Sequence, residues 1–384
     1  MRILILTPRL PWPPIDGGRI AMARLAEGLV RAGADVEILS LNPRKHRAAA
    51  SAPIHLQAID IDTSRILTPA FSRSVPFIVA RFVSSDFREA LRAALHRFKP
   101  DVVQIESPFL VPYVDAVRNE SDARIVLRSL NVEFRIWEGL ARIERNPLRR
   151  IALRRIASSL RKYEVRHLDT IDAIVPISED DAADFRRLGC TRPMHVVPCG
   201  VPVPEVTSDS PIPKSVGFIG SLDFRPNQDA VEWIAGELWP RVLERVSEAR
   251  LSIAGSSAPE WLRRRMTNID FRGTVDDATA FMNAMSVMIA PLFAGGGMRI
   301  KVLEAMALGK PIVATTLGAG GLDVEHGRDI LLANDAATFA DAVALLLRDP
   351  QRAGRIGNAA RETVRSRYDN DLLARGLLRF YGSL

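Results

Sequence analysis

The sequence predicts an α/β fold in which two doubly wound domains face each other across a cleft. Short apolar segments alternate with segments of helical apolar spacing along most of the 384 residues, which is typical of parallel sheets covered by helices. A chain of this length exceeds what one hydrophobic core usually spans. The alternating series also occurs twice, on either side of a segment with four prolines. We therefore expect one domain at 1–199, a linker at 200–213 and a second domain at 214–368, with a helix at 369–384 that could cross back to the first domain.

The first domain opens with a strand at 2–6, a helix at 19–32 and a strand at 35–41. Gly33 is a natural stop for that helix, and the strand–helix–strand order implies a right-handed parallel connection. Ser178 precedes three acidic residues and predicts another helix start, because its hydroxyl can cap the first turn and the helix dipole favours acidic side chains there. Further strands are predicted at 101–105, 124–127, 173–176 and 195–198.

The second domain repeats this alternation. A strand at 215–219 leads into a helix at 227–246, and a strand at 251–254 follows. Further short strands are predicted at 269–271, 287–290, 311–314 and 330–332, with helices between most of them. In sheets of this kind ligands bind beyond the carboxyl ends of the strands, so the loops that follow the strands are the expected binding segments.

Composition narrows the class of protein. The net charge of +7 and the pI of about 9.8 favour anionic partners, namely nucleic acid, anionic lipid or phosphorylated ligands. Cys190 and Cys199 form neither a disulfide scaffold nor a zinc-ligand pattern, and no metal site is expected. The N-terminus lacks an apolar region of signal length, and no apolar run approaches the roughly 20 residues that span a bilayer, so we expect a cytoplasmic protein.

Two glycine-containing turns follow predicted strands. Gly17 and Gly18 precede the first helix, where exposed backbone N–H groups favour an anion, although such a pair is also common in a plain tight turn. The turn from Gly220 leads into another helix, and Arg225 beside that helix start would either face a phosphate or be a surface arginine. The three spaced glycines of a dinucleotide site are absent, which disfavours hydride transfer.

A third glycine-rich turn carries the strongest signal. Gly295, Gly296 and Gly297 let the backbone approach a ligand without obstruction by Cβ atoms, and the N-terminus of the following helix points to the same place. Arg299 and Lys301 put two cations in the first turn of that helix, which opposes the helix dipole unless an anion binds there. A bound diphosphate would resolve this conflict.

Glu304 is a carboxylate in an otherwise apolar helix. A carboxylate accepts two hydroxyl hydrogen bonds at once, which suits a ribose. The alternative is an ion pair within the helix, for example with Lys301.

The segment from Gly295 to Gly309, with Ala290-Pro291 before it and Pro311-Ile312-Val313-Ala314-Thr315 after it, resembles the donor-site signature of the retaining glycosyltransferases of group 1, also called family 4. Supporting matches are Gly273-Thr274-Val275 in the second domain and, more loosely, Pro176-Ile177-Ser178-Glu179 and Val197-Pro198-Cys199-Gly200-Val201. Asn131-Val132-Glu133 and Arg225-Pro226-Asn227 resemble a bacterial branch associated with exopolysaccharide and cell-surface glycans.

The resemblance implies a twin-Rossmann fold of the GT-B type and a nucleotide diphosphate-sugar as donor substrate, with no cofactor and no required metal. It also implies transfer with retention at the anomeric carbon, with Glu304 on the ribose, Gly17 and Gly18 near the donor phosphates and the acceptor, and Gly273 and Thr274 beside the base. The residues expected in donor binding are Gly17, Gly18, Ser221, Arg225, Asn227, Gly273, Thr274, Gly295, Gly296, Gly297, Met298, Arg299, Lys301 and Glu304.

Three places depart from the family pattern. Gly296 stands where the family usually has the first of two glutamates, the second being Glu304. Ser221 and Asn227 stand near the positions of a cationic pair in many relatives. Leu130 stands where relatives in this branch tend to have a histidine.

Because of these departures, Arg299 and Lys301 are expected to carry the diphosphate charge, with help from Arg225. Catalysis would then rest on electrostatic stabilisation of the leaving diphosphate. Glu106 and Glu133 are further catalytic candidates, and a solvated loop carboxylate is the alternative for each.

A basic stretch in the first domain carries Arg142, Arg145, Arg149, Arg150, Arg154, Arg155, Arg161, Lys162 and Arg166. Its apolar side chains are Ile143, Leu148, Ile151, Leu153, Ile156 and Leu160. A basic amphipathic helix of this kind either rests on anionic lipid, here at the inner face of a membrane, or is a solvated helix face packed on the domain. A nucleic-acid partner is not expected, because no recognition module or interleaved aromatic residues accompany the charge.

The sequence thus predicts a hexosyltransferase that moves a sugar from a nucleotide diphosphate-sugar, a UDP-sugar by default, to a glycan or lipid-linked acceptor. The alternative is a catalytically inactive, glycosyltransferase-like binding or scaffold protein, motivated by Gly296 and Leu130. A sugar-nucleotide epimerase or a phosphorylase on a similar fold is a third hypothesis without a motif of its own, and fold alone does not fix function.

Overall fold

The computed structural model describes residues 1–44, 52–64, 75–204, 211–266, 269–294 and 297–384. The chain divides into two units, which we call unit 1 (Met1–Gly200 together with Asn370–Leu384) and unit 2 (Val201–Asp369). Each unit contains a parallel sheet, as the alternation of apolar segments and helices predicts.

The sheet of unit 1 is formed by the apolar segments of the first half of the sequence. Its described strands are β1 Arg2–Thr7, β2 Asp35–Pro43, β3 His55–Ile61, β4 Val102–Ile105, β5 Arg124–Ser129 and β6 Ala173–Pro176. Their order across the sheet is β3-β2-β1-β4-β5-β6, and every pairing is parallel. The direction of winding therefore reverses between β1 and β4, the place at which doubly wound sheets bind ligands.

Helices cover both faces of this sheet, so its central strands are buried on both sides. The described helices of the first 200 residues are α1 Gly17–Arg31, α2 Phe77–Ala80, α3 Ser85–Phe98, α4 Val114–Glu120, α5 Glu133–Ile143, α6 Pro147–His167 and α7 Glu179–Arg187. On one face, α1 packs Leu25 and Leu29 into a cluster with Ile3 and Ile5. On the other face, α3 contributes to the larger apolar cluster of the unit.

Unit 2 is built in the same way. Its described strands are β7 Ser215–Ile219, β8 Arg250–Ala254, β9 Asp270–Gly273, β10 Val287–Ala290, β11 Ile312–Ala314 and β12 Leu331–Leu332, in the order β12-β11-β10-β7-β8-β9. Its described helices are α8 Arg225–Trp233, α9 Trp239–Arg245, α10 Glu260–Arg263, α11 Ala278–Ala284, α12 Ile300–Ala307, α13 Ala336–Arg348 and α14 Pro350–Arg367. Winding reverses between β7 and β10, so the loops that follow these two strands are neighbours at the carboxyl edge of the sheet.

The last helix, α15 Asn370–Gly382, lies in unit 1 and packs against α1. Ala374, Leu377 and Tyr381 are buried in the cluster that also holds Ile3 and Ile5. The Tyr381 hydroxyl donates a hydrogen bond of 2.6 Å to the side-chain oxygen of buried Gln104 on β4. Residues 370–384 thus complete the core of a unit whose other residues are about 170 positions or more away in sequence.

The prediction of a strand at 195–198 is wrong. The segment follows β6 through a single bridge between Met194 and Ile174 and two backbone hydrogen bonds, and it makes no regular ladder within the part of the chain that the structure describes. Pro193 lacks the N–H donor that would extend the pairing at the start of the segment.

The helix predicted at 227–246 is interrupted. One π-helical turn, Ile234–Leu238, separates α8 from α9, and the backbone N–H of Trp239 donates to the carbonyl of Ile234. Pro240 explains the turn, because a proline within a helix cannot donate to the carbonyl four residues earlier and crowds it.

The basic stretch forms two helices rather than one. α5 ends at Ile143, and α6 starts at Pro147 after Asn146, whose side-chain oxygen accepts hydrogen bonds from the backbone N–H groups of Leu148 and Arg149. An Asn followed by Pro is a typical helix start, so the sequence did contain the signal for this break.

Candidate functional site

The predicted donor residues of unit 2 that the structure describes lie on the loops and helices that follow the carboxyl ends of β7, β9 and β10. Backbone hydrogen bonds of 2.8 Å link the loop after β8 to its neighbours, from Leu222 N–H after β7 to the Ser256 carbonyl and from Gly255 N–H to the Gly273 carbonyl at the end of β9. Gly255 has to be glycine, because a Cβ there would overlap the carbonyl oxygen of Gly220. The sheet therefore presents one continuous rim of backbone at this edge.

The start of α12 is open to an anion. Arg299 is the N-cap residue, its side chain makes no capping hydrogen bond, and the first turn contains no acidic residue. Gly297 is exposed, and Met298 to Lys301 are half-exposed. Backbone N–H groups at such a helix start, together with the positive end of the helix dipole, form an anion-binding site.

The conformation of the loop before α12 depends on a glycine and on hydrogen bonds to the loop after β11. Gly297 has a φ of +78°, in the left-handed region that favours glycine. Thr315 donates to the carbonyl of Leu292 and accepts from the N–H of Gly318 at 2.8 Å, so the loop after β11 holds the loop after β10. Gly295 and Gly296, also predicted to bind the donor, lie outside the described residues.

Arg299 stands just before α12 and not in its first turn, which corrects the sequence prediction by one position. Its Nε lies 3.4 Å from the carbonyl oxygen of Leu317, and burial lowers the pKa of its guanidinium from the ordinary value. The side chain is thus directed by the loop after β11 and placed beside the open helix start.

Lys301 and Glu304 form an ion pair of 2.8 Å within α12, which is the alternative that the sequence left open for Glu304. The Glu304 side chain is only 13% exposed, so it is a carboxylate at the margin of the core. The negative charge of Glu304 offsets the positive charge of Lys301. Arg299 therefore supplies the net positive charge at this helix start.

The turn after β7 holds Ser221 and Asn227 close together. The Asn227 side-chain amide donates to the carbonyl of Ser221 at 2.7 Å, and the Ser221 hydroxyl lies 3.0 Å from that of Ser256. Both groups are exposed, so both can also reach a ligand. Ser256 was not predicted, and the only signal for it is its position directly after a buried strand.

Arg225 is the first residue of α8 and behaves as a surface arginine. Its side chain is 67% exposed, pairs with Asp229 at 2.7 Å and lies over the ring of Trp261 at 5.7 Å. Of the two alternatives for Arg225, the structure therefore shows the surface arginine. Gly273, with a φ of +63°, ends β9, and Thr274 after it is exposed.

In unit 1, the start of α1 already holds a carboxylate. Asp16 accepts from the backbone N–H of Arg19 at 3.1 Å, and Arg9 binds the Asp16 carboxylate through two nitrogens at 2.7 and 3.1 Å. A Cβ on Gly18 would approach Arg9 to 2.6 Å. Asp16 thus caps this helix start, with Arg9, which the sequence reasoning missed, and Arg19 paired to it. Donor binding at Gly17 and Gly18 stays a prediction.

Glu106 is not the solvated loop carboxylate that was considered for it. It is 2% exposed, directly after β4, and forms an ion pair of 2.8 Å with Arg128, whose side chain is equally buried. Gln104 also donates to the Glu106 carboxylate. A buried pair of this kind costs desolvation of both charges and is disrupted strongly by loss of either partner, so Glu106 has a structural role at this position.

Glu133 is also not solvated. It is half-buried at the first position of α5, and burial together with the charge of Glu164 raises the pKa of its carboxyl to about 7. Glu164 caps α5 by accepting from the backbone N–H groups of Glu133 and Phe134 at 3.1 and 3.0 Å. Burial raises the pKa of Glu164 to about 7 as well. Two carboxyls that both titrate near neutrality thus meet at the start of α5.

Two kinds of feature are absent from the described residues. Among them, no cluster of three or more His, Cys, Asp or Glu side chains is arranged to hold a metal ion. In the same residues, none of the helices combines the length and the apolar composition needed to cross a bilayer.

Two family models match the chain. The model described as "Glycosyl transferase 4-like domain" matches residues 16–200, and the model described as "Glycosyl transferases group 1" matches residues 213–349. The first match lies in unit 1 and the second in unit 2.

Individual relatives agree with these matches. The chain is 23% identical over 355 residues to an uncharacterized 44.6 kDa protein in the cps region of Klebsiella pneumoniae, covering 88% of this chain and 89% of that protein. It is 33% identical over 186 residues to the phosphatidyl-myo-inositol mannosyltransferase of Mycobacterium leprae, which is 46% of this chain and 49% of that protein. The chain thus spans about half the length of this second relative.

Solved structures show the same fold. The Anabaena HepE protein in complex with UDP-glucose superposes with a TM-score of 0.66 at 16% identity, and the match covers 100% of both chains. The fold is therefore of the GT-B type, with two parallel-sheet α/β domains.

Proposed function

We propose that this chain, which belongs to the group 1 glycosyltransferases, moves a hexose from a nucleotide diphosphate-sugar to a glycan or lipid-linked acceptor with retention at the anomeric carbon. A UDP-sugar is the default donor, and the bound UDP-glucose of HepE supports that choice. The name of the Mycobacterium leprae relative specifies a phosphatidylinositol, which supports a lipid-linked acceptor.

One observation carries this proposal: α12 begins without a side-chain cap, behind a glycine of positive φ and beside Arg299. Backbone N–H groups at a half-exposed helix start, with a guanidinium next to them in sequence, suit the oxygens of a diphosphate. No carboxylate occupies this helix start among the described residues, in contrast to α1, where Asp16 does.

The other donor residues are assigned by their place around this helix start. Glu304, which forms an ion pair with Lys301, accepts hydrogen bonds from the ribose hydroxyls. Gly273 and Thr274 border the base, and Ser221 with Asn227 offers hydroxyl and amide groups to the sugar or phosphates. Arg225 contributes only if it leaves Asp229.

The chemical step needs little acid–base help from the protein. The bond between the anomeric carbon and the diphosphate oxygen breaks, the acceptor hydroxyl oxygen bonds to the same face of that carbon, and the acceptor proton passes to the leaving diphosphate. The leaving group gains negative charge, which Arg299, Lys301 and the N–H groups of α12 stabilise. No metal ion or cofactor takes part in this scheme.

Unit 1 supplies the acceptor side. Gly17, Gly18 and Arg9 follow β1, and Glu133 follows β5, so all four leave the carboxyl edge of the sheet. A carboxyl with a pKa of about 7 can hold or release a proton near neutrality, which makes Glu133 the better catalytic candidate of the two glutamates. Glu106 acts only by positioning Arg128.

The place of action that fits a lipid-linked acceptor is the inner face of the cytoplasmic membrane. The basic stretch 142–166 offers the attraction to anionic lipid that a peripheral enzyme needs. Nucleic acid is not a partner in this proposal.

The test is donor turnover. The full chain is incubated with a panel of nucleotide sugars that includes UDP-glucose and GDP-mannose, and release of the nucleoside diphosphate is followed with and without a membrane lipid extract as acceptor source. We expect release from one donor of the panel, increased by the acceptor.

Binding of a nucleoside diphosphate without any turnover, with every donor and acceptor, would instead identify an inactive binding or scaffold protein. The Arg299→Ala variant is the control for the site, since release that continued unchanged in it would place the chemistry elsewhere.

A further inference from the structure

The connection between α5 and α6 exposes apolar side chains that the fold leaves uncovered. We call residues 136–155 the hairpin tip. Ile143 and Leu148 are each 77% exposed, and Ile136, Leu140 and Ile151 are 42%, 43% and 48% exposed. A group of large exposed apolar side chains in one place typically marks an interaction surface, whereas isolated ones do not.

The exposed apolar side chains of α5 form one stripe. Ile136, Leu140 and Ile143 are spaced four and three residues apart on α5, so they share one face of the helix, opposite the buried Phe134 and Ala141. Leu148 and Ile151 share a separate exposed face on the first turns of α6, roughly opposite Leu153. Leu153 lines an open groove together with Leu140, Ile143, Glu144 and Arg145.

The rest of α6 is different. Leu160 is 1% exposed and Ile156 packs against the apolar cluster of unit 1, so the second half of the helix belongs to the core. Most of the exposed large apolar side chains of α5 and α6 thus lie at the tip, with Val165 as the exposed one beyond it.

Cationic side chains without counter-ions surround the stripe. They are Arg142, Arg145, Arg149, Arg150, Arg154 and Arg155. None of the six forms an ion pair with any residue that the structure describes, whereas Arg135 on the same hairpin pairs with Asp184 at 2.9 Å. Six arginines gathered in this way repel one another, and an anionic partner would remove that cost.

We propose that the hairpin tip inserts its apolar side chains into the headgroup region of an anionic lipid bilayer, with the surrounding arginines bound to lipid phosphates. This inference deepens the membrane contact of the proposed function and rests on it for its purpose, since a lipid-linked acceptor is presented at such a surface. A second copy of the chain is a poor occupant, because two arginine-ringed tips would repel each other.

The experiment is sedimentation of the full chain with vesicles. Vesicles of phosphatidylcholine are compared with vesicles that also contain roughly one part in three of phosphatidylglycerol. We expect the chain to sediment with the anionic vesicles and much less with the neutral ones. Replacement of Ile143→Ser together with Leu148→Ser should lower the partition coefficient about tenfold or more, because two inserted side chains are lost.

Val165→Ser is the matched control. Val165 is 38% exposed on α6 but lies far along the helix from the tip, so this variant should bind vesicles like the parent chain. All three replaced side chains are exposed, so thermal unfolding should confirm that each variant is folded.

Three outcomes would overturn the inference. The first is that the chain does not bind anionic vesicles. The second is that the double variant binds them as well as the parent chain, which would mean adsorption by charge without insertion. The third is that the parent chain self-associates and only the double variant does not. Donor turnover measured without vesicles should be unchanged in the double variant. A parent chain that binds vesicles but never turns over a donor would refute the proposed function and leave this inference standing.

Discussion

At the scale of single residues, Arg299 has the clearest task. It stands beside an uncapped helix start, its Nε is directed by the Leu317 carbonyl, and the neighbouring Lys301 is partly neutralised by Glu304. A diphosphate at this place would gain a charge-assisted hydrogen bond from one guanidinium that no adjacent group can replace.

Arg299→Ala should therefore weaken binding of a nucleoside diphosphate about tenfold to a hundredfold, since a hydrogen bond to a charged group contributes roughly 1.5–3 kcal/mol. Isothermal titration of both proteins measures the difference. Arg328→Ala, which removes an exposed arginine paired with Glu325, is the control and should bind like the parent. Equal affinity of the Arg299 variant would remove this residue from the site.

The raised pKa of Glu133 predicts that the free energy of unfolding depends on pH. Below a pH of about 4.5 the carboxyl of Glu133 is protonated in both the folded and the unfolded chain, so folding does not have to bury a charge there. Between 4.5 and about 7 the unfolded chain ionises while the folded chain keeps the proton, so the free energy of unfolding falls as the pH rises. Glu133→Gln should thus raise the free energy of unfolding by up to about 3 kcal/mol at pH 8 and by about 1 kcal/mol or less at pH 5.

Denaturant unfolding at both pH values measures this. Glu138→Gln on the same helix, whose carboxylate pairs with Arg135 at 3.2 Å, should not stabilise the protein at pH 8. A Glu133 variant that is less stable than the parent at pH 8 would contradict the assigned cause.

Residue types predicted part of the site. The glycines and cations around Met298 follow from local pattern, because a helix start, its dipole and its charges are neighbours in sequence. The partners of Glu106 and Glu133 do not, since Arg128 and Glu164 lie on other elements and only the folded sheet brings them close. Arg9 was missed for the same reason: its partner Asp16 is known only once the loop has closed.

At the scale of elements, α12 is held against α14 by two glycines. Gly309 follows α12 with a φ of +70°, and a Cβ on Gly357 of α14 would overlap its carbonyl oxygen. The close approach fixes α12, and with it the helix start that carries the proposed donor site.

Gly357→Ala should lower the free energy of unfolding by about 2 kcal/mol or more, because the helices have to separate. Gly354→Ala, one turn earlier on α14, meets no atom within 4 Å and should raise it by roughly 0.5–1 kcal/mol through helix propensity. Thermal or denaturant unfolding compares the two. If both variants were stabilised, the close approach of α14 to the end of α12 would be refuted.

Element types were predictable where apolar periodicity is strong, as in β1, α1 and β7. The errors occurred in segments whose secondary structure depends on which backbone N–H groups can donate hydrogen bonds. Prolines removed the ladder at 195–198 and produced the π-helical turn before α9, and Asn146 with Pro147 ended the continuous basic helix. These are effects of single residues on hydrogen bonding, which an apolar pattern does not record.

At the scale of the whole molecule, unit 1 depends on residues from the far end of the chain. Leu377 is fully buried against the sheet of unit 1, and Tyr381 donates to Gln104. The sequence predicts that a final helix exists, but amphipathic spacing does not say which sheet it covers, so its position had to come from the structure.

Leu377→Ala should lower the stability of unit 1 by about 2–5 kcal/mol, the usual cost of a buried leucine. Leu346→Ala, which truncates a buried leucine of α13, should act on unit 2 by a similar amount. Limited proteolysis under mild denaturant measures which unit is cut first, and we expect the two variants to be cut in different units. Cleavage of unit 2 first in the Leu377 variant would contradict the assignment of α15.

The central claim is that the start of α12 binds a pyrophosphate. Hydrogen exchange of the backbone amides of residues 297–303, measured with and without a saturating nucleoside diphosphate, tests it most directly. Ligand should slow exchange in this segment about tenfold or more. The N–H groups at the start of the segment would donate to phosphate oxygens, and the first helical turn, in which Ile300, Val302 and Leu303 already donate to backbone carbonyls, would open less often. Protection confined to other segments, with unchanged exchange at 297–303 while the ligand is bound, would show that the anion is held elsewhere.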